Sequence, residues 1–554
     1  MKTLLEDLID RTLRDYAKRK GITLPPALNP DLVMPKDPSH GDFSSNVAFK
    51  LAKLAGEKPA LIAAELVRLI EESQKAQKGS PVRRVESAGT GFINFTLAKT
   101  SLAQVLVEVH KKKERFGESD FGKGRKVLLE FVSANPTGPL TIAHGRQAAV
   151  GDALARILKA TGHSVETEYY LNDAGRQMNL LGASLWARYC EVLGRPTPLP
   201  ADGYQGGYLI DIAKKLAEIK KDTLLQEPGE KAVDFCRKFA AGEIMEGIRE
   251  DLAAVCVSFD HYFNESTLYE KGAVDQTLQF LTGKGHLYEK DGALWFASIP
   301  FGDDKDRVVK KSSGEYTYLA PDIAYHRTKF ERGFNRLINF WGPDHHGYVA
   351  RLKAACRALG HDPDEVEIRI VQLTTLFRKG RPVRMSTRAG EFVTLRELVQ
   401  EVGADAARFF FVMRKIESHL DFDLDLAKEK SQENPVYYLQ YAHARIASLL
   451  KYADRQVSPD VNLERLEAPE ETDLIKRISE YPQVLIRASQ SLEPYGLSDY
   501  LRELAASFHK FYTFHRVVTE DGELTRARLL LADAARIVLK NGLELLGISQ
   551  PETM

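Results

Sequence analysis

Apolar residues in the first twenty positions recur at helical spacing, with Leu4, Leu5, Leu8, Ile9 and Leu13 on one stripe. A second helix is predicted over PALIAAELVRLIEES, with Pro59 in its first turn, where a missing N–H does no harm. The period then changes to that of a half-buried strand in GFINFTL, residues 91–97. These elements predict a small α+β module over residues 1–110. The following stretch, His110 to Lys126, holds seven Lys/Arg against three Asp/Glu and is punctuated by glycine, which reads as a linker.

Val127 to Val132 (VLLEFV) is a short apolar run of the kind found in buried parallel strands. A loop rich in Ser, Asn, Pro and Gly follows, then a helix whose stripe is Ala148, Ala149, Ala153, Ile157 and Leu158, with Gly162 as its stop. VETEYYL (165–171) is a second strand, so the segment reads as a βαβ unit. RLINFW (336–341) and EIRIVQL (367–373) are further strands of the same kind. The span between, about 176–316, is too long for a simple crossover and is predicted to be an insertion on the sheet. Beyond about Pro435 only helical periodicity remains, in four segments that predict a bundle.

Length and charge narrow the picture. At 554 residues the chain needs several domains of roughly 100–200 residues each. Its 77 Lys/Arg balance 77 Asp/Glu, so any nucleic-acid footprint must be local. The C-terminal bundle carries 14 Lys/Arg against 17 Asp/Glu, and bulk charge does not mark it as an RNA binder. Four widely spaced cysteines encode neither a disulfide framework nor a zinc site, and no metal site is expected. No apolar run reaches ~18 residues, and Glu6, Asp7 and Asp10 interrupt the N-terminal leucines, so a cytoplasmic protein without a membrane span is expected.

Three places carry chemistry. The loop from Val132 to His144 would aim helical N–H groups past the sheet's carboxyl edge, a geometry that suits phosphate, with His144 and Arg146 at the helix start. FRKGRPVRMSTRAGEF (377–392) sets Arg378, Lys379, Arg381, Arg384 and Arg388 within eleven positions, enough to close on a triphosphate. WGPDHHGYV (341–349) ends a strand in Asp344, His345 and His346, which reads as a polar pocket floor and not as a metal site. Taken singly, the first reads better as a surface or capping residue and the second as a solvated basic hairpin, while the third is open between a pocket floor and a core histidine.

Together, ANPTGPLTIAHGRQ and RMSTR resemble the paired HIGH and KMSKS signatures of class I aminoacyl-tRNA synthetases. LNDAGRQ, TYLAPDIAYHRTKFERGF, WGPDHHGYV, HLDFDLDLA, NPVYYLQYAHARI and the terminal LLGISQPETM extend the likeness to the arginyl-tRNA synthetase family over essentially the whole chain. The fold implied is α/β: a Rossmann-type parallel sheet over about 120–395, a stem-contact segment over 395–435, a helical anticodon-binding domain over 436–554, and the N-terminal module touching tRNA. The activity implied is ligation of L-arginine to tRNA(Arg) with ATP and its Mg2+, by a monomer. An inactive tRNA- or protein-binding paralogue is the alternative.

The same resemblance implies site residues. His144, Arg384, Ser386 and Arg388 would be catalytic. Pro136, Thr137, Gly138, Thr141, His144, Gly145, Asp344, His345, His346 and Met385 would hold ATP. Glu130, Ser133, Asn135, His144, Tyr318 and Asp322 would hold arginine, and Phe92, Asn94, Tyr437, Tyr441 and Arg445 would meet tRNA. A guanidinium offers five fixed donors and never loses its charge, so carboxylates such as Glu130 and Asp322 are its natural acceptors. The signatures are altered: Thr141 and Ala143 replace a His and a Gly, while Arg384 and Thr387 replace two lysines.

Overall fold

The computed structural model describes all residues except 1, 26, 27, 29, 31, 34, 36, 76–81 and 384–392. Its centre is the strand Lys126–Glu130, whose side chains from Val127 onward are buried on both faces. This strand lies between Arg336–Trp341 and Ser164–Leu171, with Val366–Ile370 and His261–Asn264 outermost, and all four pairings are parallel. Chain order therefore reverses between Lys126–Glu130 and Arg336–Trp341. Loops leaving the carboxyl ends of those two strands diverge and open the crevice in which such sheets take ligands.

The βαβ unit is present, with the helix Ile142–Ala160 crossing from Lys126–Glu130 to its parallel neighbour. The expected single insertion is in fact two excursions. Helices Arg176–Val192, Gly207–Lys220 and Gly229–Ala254 form the first. His261–Asn264 then returns to the main sheet, and a small antiparallel sheet of Leu287–Lys290, Ala293–Phe296 and Arg307–Lys310 belongs to the second. His261–Asn264 is half-buried and sits at the sheet edge, so it needs none of the continuous apolar run that marks a central strand.

The helix Ile142–Ala160 is buried well beyond its apolar stripe. Arg146, Gln147 and Asp152 are inside as well, because Ala404–Val412 and Pro469–Ser491 also pack against this helix. Where the chain must come close, glycine makes room: a Cβ on Gly151 would lie 2.3 Å from the Phe131 ring. Arg408, wholly buried, donates to Asp152 at 2.5 Å and to the carbonyls of Leu546 at 2.9 Å and Val255 at 2.5 Å. The crossover helix Ile142–Ala160, the first excursion and the bundle meet at this one guanidinium.

The N-terminal module lays helices Lys2–Lys20, Val47–Ala55 and Pro59–Lys75 against a four-stranded sheet in the order Leu32–Val33, Phe43–Ser45, Phe92–Leu97, Val82–Ala88. The supposed linker begins inside a helix, Lys99–Lys112, that buries Leu102, Leu106 and Val109 and packs on the bundle. Its exposed lysines carried the linker reading, whereas its apolar stripe lies upstream of them. Bundle helices are Pro435–Ala453, Pro469–Ser491, Tyr495–Phe514 and Gly522–Leu545. Among the described residues no helix is long and apolar enough to cross a membrane.

Removing Arg408 leaves Asp152 with Arg156, whose Nε donates to it at 2.9 Å, and frees the carbonyls of Leu546 and Val255. Arg408→Met should therefore cost about 1–3 kcal/mol, the scale of lost buried hydrogen bonds, measured as a lower urea unfolding midpoint; an unchanged midpoint would show that the junction does not depend on the pair.

Candidate active site

Past Glu130 the chain turns sharply. Val132 and Ser133 both adopt left-handed backbone, at φ 68° and 41°. That region is costly for a β-branched residue and persists only where the surroundings enforce it. The turn brings the Ser133 hydroxyl back to Glu130 Oε1 at 3.2 Å and under the Tyr170 N–H at 3.1 Å. Pro136, Thr137 and Gly138 follow at the crevice wall, where the Tyr208 hydroxyl donates to the Thr137 carbonyl at 2.5 Å. Asn135 donates to Gln177 at 2.6 Å, which accounts for part of the LNDAGRQ motif.

Thr141 stands where the family signature has a histidine, and it is the N-cap of the helix. Its N–H donates to His144 Nδ1 at 3.1 Å. Burial pushes His144 down to about 4, so the ring is neutral near pH 7 and carries its proton on Nε2. The capping and ligand readings of His144 are therefore compatible: one nitrogen caps and the other is left as a donor. Gly145 has a packing reason, since a Cβ there would lie 2.6 Å from Leu395. Arg146 does not face the crevice but is buried against backbone carbonyls.

Arg384, Met385, Ser386 and Arg388 lie outside the described residues. The segments on either side of them are well defined. Arg381–Pro382 pairs with Phe377 and Arg378, and the Val383 N–H donates to the Leu376 carbonyl at 2.8 Å. On the other side Thr394 bridges to Thr141, and the Leu395 N–H donates to the Leu140 carbonyl at 2.8 Å. The stretch thus rejoins the fold beside the cap of the His144 helix. Arg378, one of its five cations, is paired with Glu401 at 2.7 Å.

Glu130 is buried and accepts from Lys329 Nζ at 2.5 Å. The partner that a buried carboxylate requires is thus within the chain, and burial is no argument for a substrate contact there. Lys329 also donates to Asn339 Oδ1 at 3.1 Å; Asn339 lies 3.0 Å from His326 Nε2, and His326 Nδ1 lies 2.9 Å from the Asp322 carbonyl. Asp322 accepts the Tyr348 hydroxyl at 2.6 Å, and burial lifts its carboxyl to about 7, with the charges of Glu265 and Glu130 adding to the rise. Glu265, raised by the same cause, accepts the hydroxyls of Tyr170 at 2.9 Å and Tyr269 at 3.1 Å. Two acids without a basic partner in these contacts, framed by tyrosines, suit a planar cation. Sequence reasoning missed Glu265, Tyr348 and Lys329. Their roles follow from strand neighbours and a helical turn, and no local pattern announces them.

The third place differs from expectation. Asp344, His345 and His346 are exposed on the turn Pro343–Tyr348, and it is Tyr348, at the turn's end, that reaches Asp322. Tyr318, the N-cap residue before Leu319–Glu331, is 73% exposed and stands open to solvent.

Away from the crevice, Phe92 is exposed and meets Phe49 edge-on at 5.1 Å. Asn94 does not stand open beside it. It is buried in mid-sheet between Ser44 and Glu86, where strands pair on both sides. Tyr437 and Tyr441 stack at 6.2 Å, and Arg445 lies over the rings of Tyr441 at 5.7 Å and Tyr512 at 4.3 Å. All three are half-buried, forming a surface ladder and not core.

A nucleotide-type crevice at the switch point, a His-capped helix beside a basic stretch, and a helical bundle on the same frame define a class I aminoacyl-tRNA synthetase. Family models agree along the chain: "Arginyl tRNA synthetase N terminal domain" matches residues 3–97, "tRNA synthetases class I (R), catalytic domain" 102–417, and "DALR anticodon binding domain" 439–554. The chain is 47% identical to the arginine–tRNA ligase of Desulfosudis oleivorans over 561 residues, covering 100% of both. It is 49% identical to that of Syntrophotalea carbinolica over 529 residues, 95% of each. A crystal structure of a putative arginyl-tRNA synthetase from Campylobacter jejuni matches with TM-score 0.77 at 35% identity, over 83% of this chain and 100% of that one. The Thermus thermophilus arginyl-tRNA synthetase shares the fold over 100% of both chains, with TM-score 0.78 at 23% identity. The chain belongs to the arginyl-tRNA synthetase family.

The elevated Asp322 carboxyl sets a pH dependence. Protonation there favours the free fold, a contribution that declines as pH rises from the ordinary carboxylate range through about 7. A guanidinium needs the ionised form, so arginine affinity should rise up to about tenfold per pH unit below 7 and level off above it. Calorimetric titration with arginine from pH 5.5 to 8.5 checks this; a flat profile would remove Asp322 from the pocket.

Proposed function

We propose that the chain activates L-arginine with ATP and passes the arginyl group to the 3′-terminal adenosine of tRNA(Arg), with the crevice divided into a cation side and a phosphate side. The observation that carries this is the pair Asp322 and Glu265, held by tyrosine hydroxyls where a guanidinium would supply the missing charge. Tyr318 and Asn135 flank that side, and Ser133 and Glu130 stand at its sheet edge. Discrimination against lysine follows, because a point ammonium cannot fill two acceptors at a planar fork's spacing.

On the phosphate side, the arginine carboxylate attacks the α-phosphorus, the bond to the bridging oxygen breaks, and pyrophosphate leaves. Positioning and charge stabilisation carry such a step. His144 Nε2–H is the donor at the helix start, and Arg384, Ser386 and Arg388 are assigned to the departing phosphates by their place in the signature. Thr137, Gly138, Asp344, His345 and His346 line the route to ATP. Among the described residues no group of three His, Cys, Asp or Glu side chains is placed to hold a metal. Magnesium would enter with ATP and would supply charge neutralisation for the departing phosphates.

Phe92, with Phe49, is assigned to a tRNA base at the outer corner, since an exposed ring offers the stacking surface that unpaired bases use. The ladder Tyr437, Tyr441, Arg445 is assigned to the anticodon on the same ground. A monomer acting in the cytoplasm is inferred from the likeness to the arginyl-tRNA synthetase family alone. The alternative, an inactive binding paralogue, draws no support from the two relatives above, both of which are named arginine–tRNA ligases.

Asp322→Asn should weaken arginine binding by about 1.5–3 kcal/mol, the scale of a charged hydrogen bond, and leave the ATP constant unchanged. His144→Ala should slow adenylate formation by ~10–1,000-fold at unchanged arginine affinity, as for a single preorganised donor. Pre-steady-state adenylate formation separates them: equal losses in both substrates' constants would collapse the two-sided assignment.

A further inference from the structure

Arg146 follows His144 by two residues, yet it is wholly buried. Among the described residues its hydrogen bonds go to backbone carbonyls alone: Nη1 to Gln372 at 2.8 Å, Ser418 at 2.9 Å and Leu373 at 3.5 Å, Nη2 to Lys415 at 2.9 Å. Those carbonyls stand just before two parallel neighbours, the strands Thr374–Arg378 and Leu420–Asp423. The far end of the first strand turns through Arg381–Pro382 and leads to Arg384.

The same loop is gripped from a second side. Glu493, just past the bundle helix Pro469–Ser491, accepts the Ile416 N–H through Oε2 at 3.1 Å and Arg369 through Oε1 at 3.1 Å. One short loop, residues 415–418, is therefore held through its carbonyls by the catalytic helix and through an N–H by the bundle.

Burying a guanidinium whose hydrogen bonds reach only neutral carbonyls is unfavourable even with the charge of Glu493 acting on it, and an apolar side chain would fill the space at less cost. What only the fork supplies is four carbonyls from two loops at one fixed geometry. Resting on the reading of His144 and the basic stretch as the phosphate side, we infer that Arg146 and Glu493 are positioning residues for adenylate formation. Through loop 415–418 they set where the hairpin-bearing strand stands relative to His144. Neither touches substrate. Glu493 extends this control to the bundle: a displacement of the bundle at this point is passed to the loop and to the strand beside it.

The test is single-turnover adenylate formation by the full chain with ATP, arginine and tRNA(Arg), normalised to titrated active sites. Arg146→Lys, which can satisfy only part of the carbonyl set, should slow the step about 10–100-fold with arginine affinity unchanged, the scale of a misplacement near 1 Å. Glu493→Gln keeps an acceptor for Ile416 and should stay near wild type, whereas Glu493→Ala should lose about 5–10-fold. Because both act through one loop, the double variant Arg146→Lys with Glu493→Ala should be no slower than Arg146→Lys alone. Wild-type normalised rates, an arginine constant that moves with the rate, or multiplicative losses in the double variant would each overturn the inference. Should Arg146→Lys fail to fold, the glutamate pair decides, since equal rates for Gln and Ala leave Glu493 without a positioning role. Loss of the phosphate-side reading itself would show differently, as an unaffected rate in His144→Ala.

Discussion

A charged or polar group taken out of water must find a partner, and the helix Ile142–Ala160 imposes that requirement on the rest of the molecule. The sheet covers one side of it, and the helices Leu395–Val402 and Ala404–Val412 and the bundle cover others. Arg146 and Asp152 are consequently enclosed and drag their partners in: carbonyls from the loops before two strands for the first, Arg408 and its two further carbonyls for the second. Apart from Arg156, which holds Asp152 from the same helix, these partners come from other parts of the chain. Matching these charges is what ties the crevice to the bundle.

The same accounting explains how the crevice is tuned. Glu130 is answered internally by Lys329, and that lysine is held in turn by Asn339 and His326. Asp322 and Glu265 are bonded to hydroxyls, which orient an acid without cancelling it. Burial, with the charges of neighbouring acids adding, then raises both carboxyls, and on the proposed reading a cation of the right shape would lower them again on entry. Selectivity so built would not depend on counting acids, because Glu130 is already spent on the frame.

The altered signatures are also intelligible in these terms. Threonine at 141 extends the chain into the helix, gives its N–H to His144, and bridges to Thr394. A second imidazole is not needed to fix the first. The helix start and the far side of the basic stretch are joined through backbone, so their relative placement survives changes in the side chains between them.

Much of this was legible in the sequence where the period was long and unmixed. The central strands, the helix with its alanine stripe and the four bundle helices follow from apolar spacing, because each buries one continuous face. WGPDHHGYV was legible as a polar turn at a strand's end and LNDAGRQ only through the family resemblance; that Tyr348 is the residue of the first that bonds Asp322 was not. What the sequence could not show was every pairing made at a distance. His261–Asn264 is a strand only because an edge lies open beside Ser164–Leu171. Lys99–Lys112 belongs to the bundle only because Gly522–Leu545 covers its stripe. Asn94 is buried, Arg146 faces away from the crevice, and Glu130 is matched by a lysine 199 positions further along. Local spacing determines which face of an element is apolar; which charge meets which is decided only when distant elements exclude water together.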